Sequence, residues 1–208
     1  MGESSVMPGF FIAVQVLKPK ENMTENNIAR VLERTKGWVG KFVCGLQLCP
    51  FASLVVEAGT LRYVVSSAGN KVEQLTEFLS ELDKFQCSDE KTIATTLHIF
   101  PKGLESFDDY LNFLAEAQAL VEASGLGAEV QLASFHPDYI FAGVEAEDSA
   151  NFTNRSPYPM LHLLRESMLS RVLEGFPHPE DIPARNIKRL RQMGSFEIQR
   201  LWSPEKDL

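Results

Sequence analysis

Cysteine is scarce. The 208-residue chain has three, Cys44, Cys49 and Cys87. So low and odd a count excludes a disulfide framework as the basis of the fold, and a reducing compartment is expected. Long apolar runs are missing as well: no window reaches the ~18 unbroken apolar residues of a membrane span. The apolar stretch Met7–Leu17 opens with Pro-Gly and has neither a basic flank before it nor a small-residue cleavage site after it, so it is a poor secretory signal. Val6 stands where a myristoylation signal wants Ser or Thr. Basic residues are outnumbered, 20 Lys and Arg against 28 Asp and Glu, and the net charge of -8 excludes a general affinity for nucleic acid or an anionic membrane. No P-loop, GxGxxG, GxSxG, H-E-x-x-H or stacked-aromatic RNA-binding set is present. A cytoplasmic protein is expected, with no membrane or nucleic-acid partner. Nothing in the chain names a cofactor or sets an oligomeric state.

What is present is ordinary globular material, 44% hydrophobic and 23% charged, in a length that suits one domain with a full-sized core. Residues 1–24 read as an N-terminal arm or edge strand, residues 25–195 as a single α/β domain, and residues 196–208 as a tail. Thr24 or Asn26 caps a first helix that runs to Gly45. Cys49 caps a short helix that starts at Pro50 and ends at Gly59. Three segments rich in β-branched and aromatic residues, Leu61–Ser67, Thr92–Phe100 and Ala128–Phe135, read as strands. Amphipathic helices Asn70–Phe85 and Ser106–Leu126 lie between them. Further helices are expected at Pro157–Glu174 and from about Pro179 or Asp181 to Gly194, forming a C-terminal helical pair. Strand and helix in alternation predict a small, mostly parallel sheet of three to four strands flanked by helices.

In such a sheet, ligands bind beyond the carboxyl ends of the strands. The third strand leaves through His136, Asp138 and Tyr139, and the loop after it delivers Asn151, Asn154 and Arg155. Ser156 then serves as N-cap and Pro157 as first residue of the expected helix, with Tyr158 following. A guanidinium beside a positive helix end suits a phosphate or carboxylate. His162 and Glu166 are four apart and would share one face of that helix, which makes His162 an acid/base candidate oriented by Glu166. His136 is the second candidate base. A plainer reading stands beside each: a satisfied cap for Ser156, an ion pair with Asp138 or Asp148 for Arg155, loop filling for His136. His136, Asp138, His162 and Glu166 are of nitrogen- and oxygen-ligand type, but without a tight spacing no metal site is assigned. Cys49, at a helix start, is a redox candidate because the positive helix end favours thiolate. Against this, most thiols in runs as apolar as FVCGLQLCPF are inert.

The stretches GLQLCPFA, RYVVS, ASFHPDYIFAG and NFTNRSPYPMLHLLRE together resemble the family catalogued as domain of unknown function 1415, over roughly Gly37 to Met193. The resemblance implies no reaction. It covers Cys49, His136, Asp138, Tyr139, Asn151, Asn154, Arg155, Ser156, Tyr158, His162 and Glu166. The functional expectation is therefore an enzyme acting on a small anionic compound by histidine acid/base chemistry. The alternatives are a non-catalytic small-ligand-binding module, or a thiol- or metal-dependent protein centred on Cys49 or on His136 and His162.

Overall fold

The computed structural model describes residues 23–175 and 178–202; the expected N-terminal arm lies outside them up to residue 22. Helix α1, Glu25–Trp38, starts where the Thr24 hydroxyl accepts from the Asn27 amide at 3.3 Å. It runs on into a π-helical turn, Val39–Cys44. At Gly45 a Cβ would stand 2.3 Å from the Lys41 carbonyl oxygen, so only glycine allows the chain to leave the turn here. Helix α2 (Ala52–Glu57) and strand β1 (Leu61–Val65) follow. Next come α3 (Lys71–Cys87), capped by Asn70, and β2 (Thr95–Ile99). After them lie α4 (Phe107–Ala123), capped by Ser106, and β3 (Val130–Phe135).

Here the chain departs from the expected parallel sheet. The stretch expected as one helix is two elements, strand β4 (Met160–Arg165) and helix α5 (Glu166–Glu174). Strand β4 lies between β2 and β3 and is antiparallel to both, giving the order β1-β2-β4-β3 in which only β1 and β2 pair in parallel. The misreading has a physical cause. Met160, Leu161 and Leu163 are all fully buried, because a central strand packs on both faces and loses its alternation. Leu161, Leu164 and Met168 then mimic helical spacing by accident. The sheet is mixed, not mostly parallel.

The two faces are covered differently. Helices α3 and α4 pack on one face, with Phe78, Phe85, Tyr110 and Phe113 against Phe100, Leu161 and Leu163. The Tyr110 hydroxyl donates to the Met160 carbonyl at 2.8 Å and accepts from the Phe135 amide at 3.0 Å, stitching α4 to the strand ends. Helix α1 and the π-turn cover the other face, joined by Leu190 of α6 (Ile182–Met193) and Ile198 of α7 (Ser195–Trp202). Helix α6 thus takes its expected place and ends at Gly194. Helix α7 carries the fold on through part of the expected tail: Ile198 is fully buried, and the Trp202 indole donates to the Arg155 carbonyl at 3.0 Å. Among the described residues, no helix is long and apolar enough to cross a membrane.

A polar layer lies under α3. Arg62 of β1 grips Glu81 with both ends of its fork, at 2.8 and 3.2 Å, and Thr96 donates to the same carboxylate at 3.2 Å. His98 of β2 is fully buried beside them with neither ring nitrogen hydrogen-bonded, and stacks on Phe100 at 4.4 Å between centroids. Burial, with Arg62 nearby, pushes its pKa down to about 3. Between that value and the unfolded value of about 6.5 the unfolded chain binds a proton that the native chain does not. Stability is therefore complete near pH 7 and falls as pH drops below about 6.5, by up to about 1.4 kcal/mol per pH unit for this residue. Replacing His98→Leu removes a buried polar group that has no partner to lose. Urea unfolding should show the variant more stable by about 1–3 kcal/mol at pH 7 and less sensitive to acid; a less stable variant would contradict the orphan reading.

Candidate functional site

Strands β1, β2 and β3 end at one rim, and the expected group of residues gathers there in part. The His136 amide donates to the Asn154 carbonyl at 3.2 Å, so the strand exit and the far end of the following loop do meet. Their side chains, however, are spent on the loop itself. Asn151, fully buried, accepts from the Phe141 amide at 3.0 Å and donates to the Glu145 and Ala146 carbonyls at 2.8 and 3.3 Å. Asn154 donates to the Ser134 carbonyl at 3.0 Å. Arg155 donates to the carbonyls of Tyr139 and Ala146 at 3.1 and 2.7 Å and lies 4.8 Å over the Phe152 ring. The Ser156 hydroxyl donates to the Tyr158 carbonyl at 2.6 Å, the Tyr158 ring faces Arg34 at 5.7 Å, and the Tyr139 hydroxyl sits 3.3 Å from that of Ser134. No helix begins at Ser156: the segment bends at Pro157 and Tyr158 and leads into β4. The positive helix end expected to hold an anion does not exist.

His136 is equally committed. Its Nδ1 accepts from the Asp138 amide at 3.0 Å, so the proton is on Nε2, which donates to the Leu104 carbonyl at 3.0 Å. The ring is fully buried between Phe107 and Tyr110 on the α4 side, and desolvation lowers its pKa. Asp138 itself is exposed. His162 points to the opposite face, toward Phe135 and Thr95. The sheet therefore separates the two histidines that were expected to share a crevice. Glu166 is an exposed first residue of α5 and does not orient His162; the i, i+4 relation fails because His162 is on a strand. No group of three or more His, Cys, Asp and Glu that could hold a metal occurs among the described residues.

A different site takes shape around His162. Its Nε2 is 2.6 Å from the Thr95 hydroxyl, and that hydroxyl is 2.6 Å from the Leu163 carbonyl. A carbonyl can only accept, so the single hydroxyl proton goes to Leu163. Thr95 must then accept from His162, which fixes the proton on Nε2 and leaves Nδ1 as a bare lone pair. Nδ1 has no hydrogen-bond partner among the described residues, nor is it among the buried unpartnered atoms, so it meets open space. Desolvation holds the imidazole pKa at about 4, so the ring is neutral at pH 7. Around it lies a cavity of about 60 Å³ lined by Trp38, Val39, Phe51, Phe135, Leu164 and Met168, among other mostly apolar groups. The Trp38 indole N–H is buried without an acceptor.

Cys49 also lines this cavity. Helix α2 begins two residues beyond the expected start, and Phe51, not Cys49, holds the capping position. Burial raises the thiol pKa; the amides of Phe51 and Ala52 oppose this but do not overcome it. The thiolate expected of a redox centre is thus disfavoured. Val43, Cys49 and Phe135 also line a second space, a groove of about 580 Å³ between β3, the long loop and α6. Sequence reasoning found His162 and Cys49 but missed Thr95, Trp38 and Phe135. No local signal marks them, because their roles appear only once β4 is placed beside β2 and β3.

Comparison with known families places the chain: a family model described as protein of unknown function (DUF1415) matches residues 30–200, and the chain belongs to that family. No curated protein and no solved structure matches it. The geometry of the imidazole is directly testable. Nitrogen NMR of the His162 ring at pH 7 should show a protonated Nε2 and an unprotonated Nδ1. Replacing Thr95→Val removes the acceptor, and the spectrum should shift toward a tautomer mixture while Thr95→Ser keeps the native pattern. A native-like spectrum in the Val variant would remove Thr95 from this role.

Proposed function

We propose that the protein is a small-ligand-binding module that holds a mostly apolar molecule in the cavity beneath Trp38, with a hydrogen-bond donor of the ligand on Nδ1 of His162. One observation carries the reading: an imidazole whose proton is pinned on the far nitrogen by Thr95, so that its lone pair opens into an otherwise apolar hollow. Small-molecule sites are of this kind, apolar walls with few, fixed polar groups. Acid/base catalysis on an anion has less support. A ring with a pKa of about 4 is neutral at pH 7 and is not a general acid there, His136 is spent on Leu104 and Asp138, and Arg155 is spent on the loop. The free thiols of Cys44, Cys49 and Cys87 suit a reducing cytoplasm.

A thermal-shift screen of small neutral and anionic compounds tests this. Neutral compounds with one donor should raise Tm, and a compound present at a hundred times its Kd adds about 2.7 kcal/mol of stability. With His162→Phe, the affinity of those compounds should fall about two- to tenfold, the worth of one hydrogen bond. Hits that bind the Phe variant as well as the native protein, or a screen in which only anions protect, would overturn the proposal.

A further inference from the structure

The two hollows share a wall. Val43, Cys49 and Phe135 face the cavity on one side and the groove on the other. Size argues against the cavity as a complete site. At about 60 Å³ it is well below the ~150 Å³ of an apolar cavity that takes up benzene and far below the ~300–1,000 Å³ of typical ligand pockets. It has room for the end of a molecule only. The groove, about 580 Å³, is of ligand size, and its lining is also mostly apolar: Leu48, Phe141, Val144, Ile182 and Ile187, with the amides Asn154 and Asn186.

We infer that cavity and groove are two compartments of one site, and that its ligand is an elongated, uncharged molecule with a hydroxyl-bearing end against His162 and an apolar body that passes Cys49 into the groove. This rests on the binding reading above and adds the class of ligand. The hydroxyl follows from unmet capacity in the cavity lining. His162 offers a lone pair that opens on the cavity, and a hydroxyl is the uncharged group of least bulk that donates to such a lone pair. The absence of charge follows from the arginines. Arg165, which lines the cavity, gives its guanidinium to the carbonyls of Phe85, Ser88 and Ile93 at 2.6 to 3.3 Å. Arg191, which lines the groove, is held by both oxygens of Asp148 at 3.0 and 2.7 Å. A carboxylate in the groove would therefore meet a cation already paired, and one in the cavity would have to draw Arg165 off its three carbonyls, at a cost its hydrophobic chain must offset.

The test uses the full chain with Cys44→Ser and Cys87→Ser, so that Cys49 is the one thiol, and three probes: 1-propanol, 1-octanol and octanoate. Two readouts follow each probe, the His162 ring and Asn154 and Asn186 side-chain amide NMR signals, and the rate at which iodoacetamide alkylates Cys49. Propanol should move the His162 signals alone. Octanol should move all three residues and, at ten times its Kd, slow alkylation about tenfold. Octanoate should bind at least about tenfold more weakly than octanol. If octanol moves His162 yet spares the amides and the thiol, the single-site inference is overturned while the binding reading stands. If no alcohol moves His162, both fall; if octanoate binds as tightly as octanol, the uncharged class is wrong.

Discussion

Everything in this molecule depends on the insertion of β4 between β2 and β3. The strand makes a main-chain ladder on each side, pairing Leu97 with His162 on one flank and Ala133 with the same residue on the other. Without it, β2 and β3 would each present a bare edge in the middle of the domain, at the cost of every buried amide and carbonyl left unpaired. Two prolines guard its start. Pro157 and Pro159 prevent the lead-in from coiling into a helix, and the Pro159 carbonyl still accepts from Phe100 at 2.9 Å, so the missing amide costs the ladder nothing. Because β4 is central, its side chains divide strictly between faces. Leu161 and Leu163 enter the core under α3 and α4, while Met160 and His162 go to the other face.

That division explains why one face is closed and the other is not. Under α3 and α4, five aromatic rings fill the space, and the charged groups there are paired, with His98 left as the dry exception: Arg62 with Glu81, Arg165 with three carbonyls and over the Phe85 ring at 4.3 Å. On the other face α1, α6 and α7 cover part of the sheet, but beyond Trp38, around the His162 cavity, the layer is made of short pieces, a π-turn, a six-residue helix and α5. Short pieces cannot present a continuous ridge to the sheet, and His162 adds a side chain that cannot be packed dry on all sides without losing the hydration of Nδ1. The surface ion pairs, Lys71 with Glu116 and Arg171 with Glu90, are half open to solvent and contribute little by comparison, within about 0–1 kcal/mol each.

Two helix caps were legible in the sequence, while those expected at Cys49 and Ser156 do not form. Thr24 and Ser106 each do what their residue types and positions imply, because a cap is a local bargain between one side chain and one amide; Asn70, read as the first residue of its helix, is in fact its cap. The three parallel-running strands were legible for the same reason. Strand β4 was not, since its identity depends on neighbours far away in the chain. One misplaced element carried several errors with it. The parallel sheet, the helix start at Ser156 and the His162–Glu166 pair all rested on it, as did the meeting of the two histidines.

The crowd of polar residues from Asn151 to Ser156 invites a binding-site reading, yet it answers a different need. Between Phe135 and Met160 the chain has only one short 3-10 turn, Ser149–Thr153, of regular structure. A loop this long has many amides and carbonyls that no ladder satisfies, and inside a compact domain they must find partners. Asn151, Asn154, Arg155, Ser156 and His136 supply them, nearly all through side-chain bonds to main chain. Polar density in a sequence therefore measures demand for hydrogen bonds, and a long loop creates that demand as readily as a ligand does. What separates the two cases is residual capacity. Asn151 has both ends of its amide in use. His162 stands in a poorer, more apolar stretch and keeps one nitrogen unused, which makes it the better place to look for a ligand.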